Sequence, residues 1–175
     1  MAYNAGSQSG NLVLLSSQVA SGSSALTFTS VITTKYDDYV LRFNGVTGAG
    51  GANVLGIRYS VDNGSNYLSG ANYTITGYFA DTGSQSFFGA VAQTRVQIIG
   101  GLGASPDQSV GIVNLFNITS GTFKPAAYSQ FMSTSNGRID VDAAVYTSAI
   151  AVNAIQVAPD AGTFSGTFKL YGVQN

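Results

Sequence analysis

The sequence predicts an all-β protein, a jelly-roll-like antiparallel β-sandwich of about ten short strands. Four observations carry that expectation. Charged residues make up only 9% of the 175 residues, against a usual ~25%. Glu is absent and Lys occurs only at Lys35, Lys124 and Lys169, so the common exposed helix formers are nearly missing. Val, Ile, Thr, Tyr and Phe fill the apolar runs instead, and 22 glycines punctuate them. Finally, several runs alternate with the period of a half-buried strand and none sustains a helical period.

Taken in order, residues 1–11 are small and polar and read as an extended N-terminal arm, ordered only where something holds it. Residues 12–175 read as one β-sandwich domain. The candidate strands are 12–18, 25–29, 38–44, 53–61, 72–80, 91–99, 109–117, 127–133, 138–146, 153–158 and 164–173. In the third, Tyr39, Leu41 and Phe43 point one way and Arg42 the other; Leu55, Ile57 and Tyr59 oppose Arg58, and Ile155 and Val157 flank Gln156. Glycines near 100–103 and Pro106 interrupt the chain, but strands of one kind lie on both sides, so no linker is assigned. Short strands of this kind bury their apolar faces by packing as two sheets. Strand order does not follow from the sequence.

Composition also bounds function. The formal net charge is −1 and the seven basic residues are scattered, which argues against nucleic acid. No apolar run approaches the ~18 residues of a membrane span. The stretch MAYNAGSQSGN has no basic region or apolar core, so the expectation is a chain made in a cytoplasm without a signal peptide. Cys and His are absent, which removes thiolate and imidazole zinc sites and His-based triads. No group is then expected to shuttle protons near neutral pH, and the chain reads as a non-enzyme.

Four candidate constellations remain. The segment VDNGSN around Asn63-Gly64 reads as a hairpin turn, because a type I′ turn needs positive φ at both central residues. The competing reading is a calcium loop using Asp62, Asn63 and Asn66, but one carboxylate falls short of the oxygen set that calcium takes. Asp37-Asp38 reads as a turn, and Asp140 with Asp142 as a solvated strand face; a paired-carboxylate hydrolase is the alternative. Tyr67, Tyr73 and Tyr78 cluster in sequence and suit sugar or protein binding, against a bland reading as strand tyrosines. The stretches at 45–53 and 100–105 are glycine-rich, lack the lysine or helix of a phosphate cradle, and read as loops. No residue is assigned to catalysis, a cofactor or a metal, and receptor-binding residues stay unassigned.

Low charge favours a fixed assembly in which copies cover one another's sheet edges, a homotrimer being one closed solution. Four segments then carry a resemblance: 12–46 with its KYDDYV lead-in to a strand, IRYSVDNGSNYLSGANY (57–73), GIVNLFNITSGTF (111–123) and NAIQVAPDAGTFSGTFKLYGV (153–173). In this order they resemble small structural proteins of tailed bacteriophages, of the tail-fibre and tail-tip type, with Asn63 where glycine is more usual. The resemblance implies a trimeric β-sandwich at the virion surface, made in the host cytoplasm, involved in host attachment or, alternatively, in capsid decoration. It transfers no binding residues. A lectin or a polysaccharide-degrading enzyme is the expectation of another class.

Overall fold

The computed structural model describes residues 11–50 and 54–174. The expected arm lies outside the described residues except for Asn11, which opens the first strand. Among the described residues twelve strands form two antiparallel sheets, and the single helical element is a 3-10 turn at Ser135–Gly137. The strands are β1 (Asn11–Ser23), β2 (Leu26–Thr29), β3 (Tyr39–Ala49), β4 (Val54–Ser60), β5 (Tyr73–Ala80), β6 (Gln85–Gln93), β7 (Val96–Gly100), β8 (Ser109–Phe116), β9 (Ala126–Ser133), β10 (Arg138–Tyr146), β11 (Ala154–Pro159) and β12 (Thr163–Gln174).

Sheet order explains the architecture. One sheet runs β1-β12-β3-β8-β9-β10-β5-β6 and the other β2-β11-β4-β7. Strand β1 pairs with β12, β2 with β11, β3 with β8, and β4 with β7. These nested antiparallel pairs, alternating between the two sheets, are the connectivity of a jelly roll. The expected fold class is therefore the one found. The remaining strands, β5, β6, β9 and β10, extend only the larger sheet.

The core fills the space between the sheets. Leu41, Phe43, Val113, Leu115, Phe168 and Leu170 from the large sheet meet Leu55, Ile57, Tyr59, Ile155 and Val157 from the small one, all buried. Burying a side chain of this size stabilises by about 1.5–3 kcal/mol. Besides the edge-on Tyr36–Tyr39 pair, 5.9 Å apart, rings interlock at two places. Phe43, Phe164 and Phe168 form one group, with centroids 6.1 Å and 5.6 Å from Phe168. Tyr59, Tyr73 and Tyr146 form the other across the two sheets, the closest pair being Tyr73–Tyr146 at 4.9 Å and edge-on.

Strand β1 runs on to Ser23, past the expected end at 18, and two further boundaries differ more sharply from expectation. The candidate strand 91–99 is in fact two strands in different sheets. The chain leaves β6 near Ala92, whose φ is +57, turns at Thr94-Arg95 and joins the small sheet as β7. The sequence hides such a crossing, since no glycine or proline stands between Ala92 and Val96. The first half of the expected loop 45–53 belongs to β3, which absorbs Gly45 (φ +64) in a bulge against β8; 51–53 lies outside the described residues.

Close packing between strands depends on Gly111 in the middle of β8. A Cβ there would collide with the Gln130 carbonyl oxygen and come 2.8 Å from the Phe131 Cβ. Gly111→Ala is expected to lower unfolding free energy by about 1–3 kcal/mol in urea titration, with the fold retained. An unchanged midpoint would show that β8 and β9 have slack the structure does not show.

Candidate functional site

The Asp62 corner is a turn, but not the hairpin the Asn-Gly pair predicts. Asn63 (φ +56) and Gly64 (φ +87) take the two positive φ values, and Ser65 N–H donates to the Asp62 carbonyl. Yet β4 and β5 on its two sides belong to different sheets, so the turn sits in a crossover. Asn63 pins it there: its N–H donates to Asn153 Oδ1 at 2.8 Å and its Oδ1 accepts from Ser30 N–H at 3.0 Å. The Asp62 carboxylate is taken up by its own loop, accepting from Ser60 Oγ at 2.7 Å, Asn66 N–H at 2.9 Å and Asn66 Nδ2 at 2.7 Å. Those bonds, the Asn66 side chain foremost, pull its pKa down to about 2. Its oxygens stabilise the turn.

The three tyrosines do not form one site. Tyr73 is fully buried; its hydroxyl donates to the Leu68 carbonyl at 3.0 Å and accepts from Tyr59 N–H at 3.1 Å. Burial above all raises its pKa to about 12. It staples the loop after β4 to the small sheet. Tyr67 is half-buried beside Gly64 at the Asp62 corner. Only Tyr78 reaches the outer face of the large sheet, where its ring lies 4.9 Å from Phe87 and its hydroxyl donates to Gln85 Oε1 at 3.0 Å.

The aspartate pairs also separate. Asp37 and Asp38 do precede β3 and border a depression of about 510 Å³ with Thr34, Asn117, Thr119, Ser120 and Phe123. Asp140 and Asp142, expected on a solvated face, are buried between the sheets, 1% and 2% exposed. Their strand is inverted relative to its hydrophobic pattern: Ile139, Val141, Ala143 and Val145 face outward. Arg138 grips Asp140 with two bonds, Nε to Oδ1 at 2.8 Å and one terminal nitrogen to Oδ2 at 3.0 Å, and lies 4.1 Å from the Phe79 ring centre. Asp142 has no such partner. Neither oxygen forms a hydrogen bond of good geometry among the described residues, though the Gln97 side chain is near enough to oppose the shift. Burial first, and Asp140 second, push its pKa up to about 7. This corrects the expectation that no group here titrates near neutrality. The carboxyl lines neither the hollow beside Arg42 nor the depression beside Asp37 and Asp38.

The surface with the richest chemistry is the outer face of the large sheet. Register sets Arg42 opposite Lys169 on one side and opposite Ile112 on the other. Bulges beside Gly45 in β3 and Gly166 in β12 bend the two strands, and a hollow of about 450 Å³ lies alongside. Its wall includes Arg42, Asn44, Val110, Thr167, Lys169 and Tyr171. The Arg42 guanidinium lies 5.5 Å from the Tyr171 ring centre. The sequence shows that Arg42 points away from the core, but its partners come from strands more than 60 and 120 residues away. Comparison with protein-family models gives no match, and comparison with curated proteins gives none either. The class the chain can be assigned is thus the one its fold defines, a jelly-roll β-sandwich with a one-sided extension.

Two outcomes follow. An Asp pKa raised from 3.8 to about 7 contributes stability that is complete below the unfolded value and lost as pH climbs through the folded one. Wild-type stability is therefore expected to fall by on the order of 2–4 kcal/mol between about pH 4 and pH 8, and Asp142→Asn to flatten that fall. Parallel pH profiles for the two proteins in chemical denaturation would refute the assignment. Tyr73→Phe leaves the Tyr59 N–H and Leu68 carbonyl unpaired and is expected to cost about 1–3 kcal/mol in the same assay.

Proposed function

We propose that the chain is a non-enzymatic structural component of a bacteriophage virion, of the tail-fibre or tail-tip type, that assembles with copies of itself and presents a surface to the host. One observation carries the assembly half of this reading. The edge strands of both sheets, β1 and β6 in the large and β2 and β7 in the small, contain no charged residue and no proline. Free-standing sheets usually guard their edges with such residues; here bulges interrupt β1, β6 and β7, and β2 is only four residues long with its Thr27 carbonyl accepting from Gln18 Nε2. The apolar outer surface agrees with it: Phe87 is 83% exposed, Val91 71%, Met132 49% and Ile139 48%. A surface so poor in charge suits burial against neighbours better than life as a monomer.

The virion half rests on the resemblance of the four segments to tailed-phage structural proteins. The attachment half rests on the same resemblance and on the hollow at Arg42 and Lys169. The purified chain is expected to sediment as a closed oligomer, a trimer in this reading. Phe87→Lys in β6 is expected to shift it toward monomer while circular dichroism stays β-rich. A wild-type monomer at micromolar concentration would overturn the assembly reading. A virion reconstruction decides the place: density at the tail supports attachment, density on the head assigns a shell-decorating role, and no density on the particle removes the virion reading.

A further inference from the structure

We propose that the hollow between β3, β8 and β12 on the outer sheet face binds an acidic saccharide, a sugar unit whose carboxylate is held by Arg42 and Lys169. The proposal deepens the attachment reading and rests on it for its biological sense.

The outer face holds an unresolved repulsion. Arg42 and Lys169 are direct cross-strand neighbours on the same face, an arrangement that destabilises a sheet. No carboxylate compensates them, since the one ion pair among the described residues joins Arg138 to Asp140 on the inner face. They are also the only charged residues on the outward side of the eight strands. An otherwise neutral face thus concentrates its charge of one sign beside this hollow, while the depression at Tyr78, Gln85 and Phe87 on the same face has no charged lining. A bound anion would turn that repulsion into two attractions.

The rest of the wall narrows the class of anion. Tyr171 holds the Arg42 guanidinium against its ring, so the planar fork that fits a carboxylate is partly preorganised. A bare inorganic anion would use only the two cations. Asn44 and Thr167 add a neutral amide and a hydroxyl, the groups that exchange hydrogen bonds with sugar hydroxyls, and Val110 adds an apolar wall for the C–H face of a pyranose. A volume of about 450 Å³ falls in the ~300–1,000 Å³ range of small-ligand sites. Nucleic acid is the poorer fit, because its affinity grows with the number of phosphates neutralised and two cations neutralise few.

The test uses the purified full chain and three probes: trigalacturonic acid, the neutral trisaccharide maltotriose, and a hexa-aspartate peptide, each titrated by calorimetry and by amide chemical-shift mapping. Trigalacturonate is expected to bind saturably, weaken with added salt and shift the resonances around Arg42, Lys169 and Tyr171, while maltotriose and the peptide bind at least tenfold more weakly. Lys169→Gln is expected to lower trigalacturonate affinity about tenfold or more while Tm holds or rises, because the substitution removes the repulsion. A merely structural lysine would not separate those two readouts. Arg42→Lys keeps the charge and loses the fork, and is expected to give a partial loss of affinity. Absence of saturable binding, equal binding of maltotriose or of the peptide, or full affinity in Lys169→Gln would each overturn the proposal. Failure of the attachment reading is read separately, from the place of the chain in the virion.

Discussion

Four strands cannot cover eight. That mismatch governs the rest of the molecule. Nested pairing of β1 with β12, β2 with β11, β3 with β8 and β4 with β7 closes a jelly roll whose two sheets are matched strand for strand. Adding β9, β10, β5 and β6 to one of them carries that sheet past its partner. On the inner side β7 and the Tyr59–Tyr73–Tyr146 cluster reach across to fill part of the gap. On the outer side nothing among the described residues lies over the sheet, so its side chains face outward with little charge to hydrate them.

The inverted strand β10 is where the mismatch leaves its clearest mark. A hydrophobic pattern normally selects register by sending its apolar set inward. Here Tyr146 and Ala144 enter the core from one end of the strand, and strict alternation then forces Asp142 and Asp140 to follow. Arg138 neutralises Asp140 with a two-point bond, which limits the cost of burying that charge. Asp142 is relieved differently, by holding its proton to higher pH. The same alternation turns Ile139, Val141 and Val145 outward, and these residues make β10 part of the apolar surface. One register choice therefore creates both the buried carboxyl and the exposed hydrophobic band.

The outer face divides into functions that differ in physical kind. Its flanks, β1 on one side and β9 to β6 on the other, offer apolar area and uncharged edges, the materials of a protein–protein contact. Between them the bulged strands β3 and β12 present two cations and an aromatic ring beside a hollow, the materials of recognition for a small anion. A rigid sheet holds both at fixed separation, since strand-borne side chains are positioned more tightly than loop-borne ones.

Much of the secondary structure was legible because it is local. Glycine spacing, β-branched runs and period-two alternation place most strands within a few residues, though no candidate covers the first six residues of β6, and positive φ at Asn63-Gly64 follows from the residue types alone. Three features were not legible, each for a stated reason. The break between β6 and β7 carries no turn residue, Tyr73 looks like its neighbours Tyr67 and Tyr78 until the second sheet buries it, and Asp140 and Asp142 resemble a solvated pair until register is known. By itself, then, the sequence determined the all-β class, most strand positions and the scarcity of charge, all properties of residues and their near neighbours. Only the tertiary structure decided which strands pair, which face of β10 is inside and that Arg42 meets Lys169. Those depend on contacts between segments far apart in the chain, and periodicity within one strand carries no information about its partner.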